Sequence, residues 1–140
     1  MILDDLLKLR AGGSSPSVTA TEAGATSLTR DGTTGKVVIQ INKMPAEGLP
    51  IIVLAAADAG TSTDKSLTVT IEASDTLASG YAQVASFTAQ TFADTTVKKM
   101  VRRVATQKTY LRSVITAAGA NGTISRDYEI YIGIGEVDEG

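Results

Sequence analysis

Alternation of apolar and polar residues dominates the chain after its first ten positions. "KVVIQI" (36–41) puts Val37, Ile39 and Ile41 on one face, and "SLTVTIEAS" (66–74) puts Leu67, Val69, Ile71 and Ala73 inward against Thr68, Thr70 and Glu72. Side chains of an extended segment point to opposite faces in turn, so period two predicts half-buried strands. "PIIVLAAA" (50–57) is continuously apolar, the pattern of a strand buried on both sides. "YAQVASFTAQTF" (81–92) alternates more weakly, with Ala82, Val84 and Ser86 opposed to Tyr81, Gln83, Ala85 and Phe87. "YLRSVITAA" (110–118) and the closing "DYEIYIGIGEVDEG" (127–140) complete the series. In the last, Tyr128, Ile130, Ile132 and Ile134 line one side, while Glu129, Tyr131, Gly133 and Gly135 line the other. "SVTAT" (17–21) and "ATSL" (25–28) are placed as an added edge hairpin.

Two stretches follow the helical period instead. In residues 1–10, Leu3, Leu6 and Leu7, with Ile2 and Leu9 alongside, form an apolar stripe that "AGGSSPS" (11–17) stops with Gly and Pro. This is read either as a short helix packed on the domain or as an arm that docks on a neighbouring subunit. In "TVKKMVRRVAT" (96–106), Val97, Met100, Val101 and Val104 take positions i, i+3, i+4 and i+7, with Lys98, Lys99, Arg102 and Arg103 opposite. The run is short, β-branched and set among strands, so a strand with a bulge is preferred to a helix.

About eight short strands separated by turn signals predict an all-β sandwich or barrel. The expected division is an N-terminal helical arm and linker over 1–16 and a β-sandwich over 17–140. A closing strand as regular as 128–134 must pair with strands already formed, which suits a jelly roll or Greek key. Its three isoleucines would be costly to leave exposed, so it is expected inside a sheet. Asn121-Gly122 suits a tight turn between the last two strands, because both residues tolerate positive φ.

Composition supports this picture and removes much chemistry. With 140 residues, one core is expected. Thirteen Lys and Arg against fifteen Asp and Glu give a net charge of -2, so no global pull toward polyanions arises. No His and no Cys occur, which rules out a Ser-His-Asp triad, a Cys nucleophile, and thiolate or imidazole metal sites. A carboxylate pair survives that test, but such sites grip sugars on aromatic faces, and here only four Tyr and two Phe exist without Trp. The expectation is a protein that is not an enzyme and needs no cofactor or metal.

Asp4 and Asp5 interrupt any secretory apolar run, and "IIVLAAA" (51–57) falls short of the ~20 residues of a membrane helix. The reading is a soluble intracellular product of a bacterium or its virus, with no membrane partner. Several fragments fail as motifs. "GTTGKV" (32–37) has the wrong glycine spacing for a phosphate loop, and Val37 stands where Ser or Thr would bind magnesium. "GIG" (133–135) lacks a third glycine, "DAGTSTD" (58–64) lacks EF-hand spacing and reads as a turn, and "NGT" (121–123) reads as a hairpin turn.

One cluster remains. Lys98, Lys99, Arg102, Arg103, Lys108 and Arg112 lie close in sequence, and Glu136, Asp138 and Glu139 gather at the other charge extreme. A solvated strand face, an acidic protein partner and a second copy of this chain are the readings weighed. Nucleic acid is disfavoured, because stacking platforms are missing apart from Tyr110. The candidate interface is therefore Ile2, Leu3, Leu6 and Leu7 with Lys98, Lys99, Arg102 and Arg103.

A "MILDDLLKL" opening, a Thr/Ala/Gly-rich β body, "TYLRSVIT", an NG turn and the closing "DYEIYIGI" together resemble the jelly-roll cement, or decoration, proteins of tailed bacteriophages. The resemblance spans nearly the whole chain and rests on the order of features. It implies a virion protein, made in the host bacterial cytoplasm, that binds the outside of the mature capsid and bridges major capsid proteins. It also implies association as dimers or trimers, without catalysis or cofactor. The doubled basic pairs at 98–99 and 102–103 depart from the family pattern. The alternatives are a tail or head-fibre β-sandwich component and a carbohydrate- or ligand-binding β-sandwich module, which would need an aromatic-lined groove.

Overall fold

The computed structural model describes residues 8–12, 17–41, 44–61, 63–91 and 96–133. Within them the protein is all-β: nine strands and no helix. The strands are β1 (Lys8–Arg10), β2 (Ile39–Gln40), β3 (Leu49–Ala55), β4 (Ser66–Ser74), β5 (Ala82–Ser86), β6 (Gln90–Thr91), β7 (Lys98–Val104), β8 (Tyr110–Ala118) and β9 (Tyr128–Ile132). One sheet has the order β1-β9-β3-β7, and the facing sheet has β2-β8-β4-β5 with β6 added on β4. All pairings between strands are antiparallel.

The order follows from one long hairpin wound on itself. β4 and β5 are adjacent at the tip, then β3 pairs with β7, β2 with β8 and β1 with β9. Successive pairs fall in alternate sheets, and winding brings β9 beside β3 and β8 beside β4. That is a jelly roll. The last strand thus lies between the first and third strands of its sheet, the internal place expected from its isoleucines.

The best alternation gives the best strands. Leu67, Val69, Ile71 and Ala73 of β4 and Leu111 and Ile115 of β8 enter the core, opposite Ile51, Val53, Ile130 and Tyr128 of the other sheet. Each such aliphatic side chain contributes roughly 1.5–3 kcal/mol by leaving water. Both faces of β3 are buried: Ile51 and Val53 point to the core, and Ile52, registered with Tyr131, is buried on the other side. Val37 and Ile39 are core residues with Ile41 packed against them, although only Ile39–Gln40 is strand.

Four expectations need correction. The helical stripe does not reach residue 10, because Lys8–Arg10 is strand β1 with Leu9 in the core; residues 1–7 lie outside the described residues. The sandwich therefore includes residues assigned to the arm and linker. The weak pattern at 81–92 is two strands, β5 and β6, not one. Residues 17–28 form no hairpin; Val18 bridges to Arg126 and Glu22 to Ile115, so this segment is laid against later parts of the chain. Asn121-Gly122 is not a two-residue hairpin, since β8 and β9 belong to different sheets and the chain crosses between them. Gly122 has φ 74°, while no residue other than glycine has positive φ among the described residues.

Candidate functional site

β7 carries the doubled basic pairs and ends its sheet. Its helical spacing is overridden by tertiary context: β3 offers a full-length apolar partner, and Val97, Val101 and Val104 are β-branched residues that suit a strand. The pairing with β3 runs from Leu49 opposite Val104 to Ala55 opposite Lys98 without a register shift, so the expected bulge is absent. Directly opposed residues share a face. Lys98, Met100, Arg102 and Val104 therefore share the core-facing side with Ala55, Val53, Ile51 and Leu49, whereas Lys99, Val101 and Arg103 share the outer side with Leu54, Ile52 and Pro50. Each basic pair is split across the strand.

The two arginines are held by backbone rather than by acids. Arg102 donates from Nη1 to the Ser86 carbonyl at 2.7 Å, and Arg103 donates from Nη1 to the Gly48 carbonyl at 3.0 Å. Among the described residues no carboxylate lies within salt-bridge distance of either. Beside Arg102 a surface groove of about 330 Å³ runs between the end of β5 and β7, lined by Ser86, Phe87, Thr88, Met100, Val101 and Arg102. Val101 is 48% exposed and Val97, just before the strand, 71%.

An unpaired strand edge is a template for another strand, and lysines or arginines along it normally deter promiscuous pairing. β7 is seven residues long, has no proline and carries no bulge. Its cations discourage a second basic edge and favour an acidic one. The arrangement can bind an extended partner through backbone hydrogen bonds, with alternate side chains setting specificity.

The other predicted residues separate from this edge. Lys108 pairs with Asp75 at 3.0 Å, and Arg112 pairs with Glu72 at 2.7 Å while lying 3.9 Å over the Tyr81 ring. Both belong to the facing sheet or its loops, so the six-cation cluster does not exist as one patch. Burial raises the Tyr81 hydroxyl above its ordinary pKa. The remaining candidate residues, Ile2, Leu3, Leu6 and Leu7, lie outside the described residues. Among the described residues no group of three or more acidic side chains gathers as a metal site.

Aspartate side chains organise the loops that hold two of the rejected motifs, while Ile134 and Gly135 of "GIG" lie outside the described residues. Asp31 accepts from the Thr33 and Thr34 amides at 2.7 and 3.2 Å, closing the loop of "GTTGKV". Asp58 accepts from Gly60 and Ser125, each at 2.9 Å, and Asp64 accepts from the Asn121 amide at 2.9 Å, tying the 58–64 loop to the β8–β9 crossing. Hydrogen bonds to backbone amides favour the ionised form, so Asp31 and Asp64 sit below the ordinary carboxylate pKa.

Periodicity missed two fully buried arginines. Arg10 reaches Glu22 at 3.2 Å, Asp127 at 3.3 Å and the Tyr128 carbonyl at 2.5 Å. Arg126 donates to the carbonyls of Thr91 and Thr96 at 3.2 and 3.3 Å. Both fasten crossings between elements. Arg126 and Asp127 immediately precede the best-patterned strand, and nothing in the local pattern marks Arg126 as buried.

No family model, no curated protein and no solved structure matches this chain.

Proposed function

We propose that this chain is a structural virion protein that binds the outside of a mature tailed-phage capsid and cements neighbouring major capsid proteins. β7 is the observation that carries this reading: a full-length sheet edge with Arg102 and Arg103 lacking carboxylate partners among the described residues and Val101 exposed between cations. Such an edge is an interaction surface rather than a reaction centre. The jelly-roll order supports the same reading, because the resemblance to cement proteins implies that fold. The partners are the major capsid protein and further copies of this chain; the role needs no catalysis and no cofactor.

The physics of the role fits the molecule. A shell repeats each contact many times, so modest contacts linked together resist dissociation far better than one alone. A body whose loops are pinned by Asp58, Asp64, Arg10 and Arg126 transmits load between contacts without reshaping. The module-binding alternative gains nothing from Tyr81, since Arg112 occupies one face of its ring.

Co-sedimentation tests the proposal. Purified chain is mixed with mature shells and, separately, with unassembled coat subunits. Binding to shells alone is expected. Equal binding to both, or to neither, contradicts lattice recognition.

A further inference from the structure

We infer that the β7 edge receives an extended acidic segment of another protein, added as an antiparallel strand. That segment reads acid, acid, apolar, apolar opposite Arg103, Arg102, Val101 and Met100. The inference rests on the proposed reading of β7 as the contact surface and names the chemistry of what contacts it.

The backbone shows which groups the edge offers. In an antiparallel sheet the N–H and C=O of one residue point to the same neighbouring strand, and successive residues alternate. The Gly133 amide donates to the Pro50 carbonyl and the Ala56 amide to the Asp127 carbonyl, each at 2.9 Å, so even-numbered positions along β3 bond toward β9. Odd-numbered positions therefore bond toward β7, where Val53, Ile51 and Leu49 face Met100, Arg102 and Val104. Val101 and Arg103 point the other way, with their N–H and C=O groups at the sheet edge, where no strand pairs among the described residues. Those groups form a ladder for one more strand.

The side chains set its sequence. Facing residues share a side of the sheet. On the outer face Arg103 selects a carboxylate and the exposed Val101 an apolar side chain. On the core-facing side Arg102 selects the second carboxylate, and the groove beside Phe87 and Met100 takes the second apolar side chain. Each arginine donates once to a backbone carbonyl, which fixes its position and leaves further donors of its fork for a carboxylate. Charge and apolar contact thus alternate on both faces, and the order of the incoming residues matters as much as their composition.

Two other occupants fit worse. β7 of a second copy, paired about Val101, sets Lys99 against Arg103, which is unfavourable. β5 of a second copy, Ala82–Ser86, has no charged residue to meet the arginines.

The probe is a fluorescein-labelled peptide, Thr-Glu-Asp-Val-Leu-Thr, titrated against the full chain by fluorescence anisotropy, with Thr-Leu-Glu-Val-Asp-Thr as the reordered control. The first should bind about tenfold tighter than the second. Arg102→Asp/Arg103→Asp, with folding checked by circular dichroism, should lose this peptide and bind Thr-Lys-Lys-Val-Leu-Thr instead. Amide exchange followed by NMR supplies the second test on the wild-type chain. At saturation with the first peptide, the Val101 and Arg103 amides should slow by about tenfold or more, while those of Met100 and Arg102, already bonded to β3, should change little. Equal affinity for the two peptides, or unchanged exchange at Val101 and Arg103, overturns the inference. So does concentration-dependent protection of those amides without peptide, which puts a second copy on the edge. Failure of the capsid reading looks different: a chain that takes up the ordered peptide but does not sediment with shells keeps this inference and loses the other. A chain that sediments with shells yet ignores peptide order loses this inference alone.

Discussion

Arg102 donates from its Nη1 to the backbone carbonyl of Ser86 at 2.7 Å, tying the last strand of one sheet to the last strand of the other. Gln90 of β6 adds a second link on this side, donating from Nε2 to Met100 Sδ of β7 at 3.3 Å. An exposed hydrogen bond such as that of Arg102 is worth about 1 kcal/mol or less. Arg102→Ala should therefore change the urea midpoint little, while speeding amide exchange in Ala82–Ser86 and leaving β4 and β8 protected. A loss of more than about 3 kcal/mol, or uniform faster exchange, contradicts this local role.

Arg10 is the opposite case. It is fully buried, and it joins Glu22, Asp127 and the Tyr128 carbonyl, so that β1, the segment over β8 and the start of β9 share one cation. Removing one partner of a buried ionic cluster strands the others, at about 3–5 kcal/mol. Arg10→Ala should lower the unfolding free energy by that amount in urea titration. A change below about 1 kcal/mol would show that Glu22 and Asp127 are solvated without it.

Gly48 leads into β3 with φ 81°, and a Cβ there would meet the Val104 carbonyl at 2.5 Å. Both backbone strain and a clash with β7 follow from any side chain. Gly48→Ala should cost about 2 kcal/mol or more by thermal or urea unfolding. It should also disturb the hold of Arg103, which bonds to the Gly48 carbonyl. Gly32, with nothing near its missing Cβ, serves as the control: Gly32→Ala should be close to neutral.

The depressed pKa values of Asp31 and Asp64 fix the sign of an acid effect. Their folded forms hold the charge more tightly than the unfolded chain, so the stabilisation is fully present above the ordinary value of 3.8 and is lost as pH falls through the folded value. Asp64→Asn should be less stable than wild type at pH 7, and the gap should close as pH drops well below 3.8. Urea midpoints at stepped pH measure this. A gap that widens on acidification contradicts the sign.

The sequence was most legible where alternation was undisturbed. β4 and β8 coincide with the predicted segments, and the unbroken apolar run of β3 announced a strand buried on both faces. Parity also told that Tyr128, Ile130 and Ile132 face inward. It carried no partner information, so the position of β9 between β1 and β3 had to come from the closing of the wound hairpin. β7 was misleading because its four apolar residues follow the helical period and fall on both faces of the strand, and only its pairing with β3 shows the strand. Arg10 and Arg126 were invisible for a different reason: charge predicts exposure, and nothing local marks an arginine whose acceptors lie in distant segments. The basic cluster looked continuous in sequence, yet Lys108 and Arg112 pair with their own acids on the other sheet.

The central claim is that this chain cements a capsid, and copy number tests it most directly. Quantitative mass spectrometry of purified virions, from the phage that the proposal requires to encode this chain, gives copies per major capsid protein. The account predicts a ratio near one or another simple lattice fraction. A handful of copies per particle, or none, would contradict it.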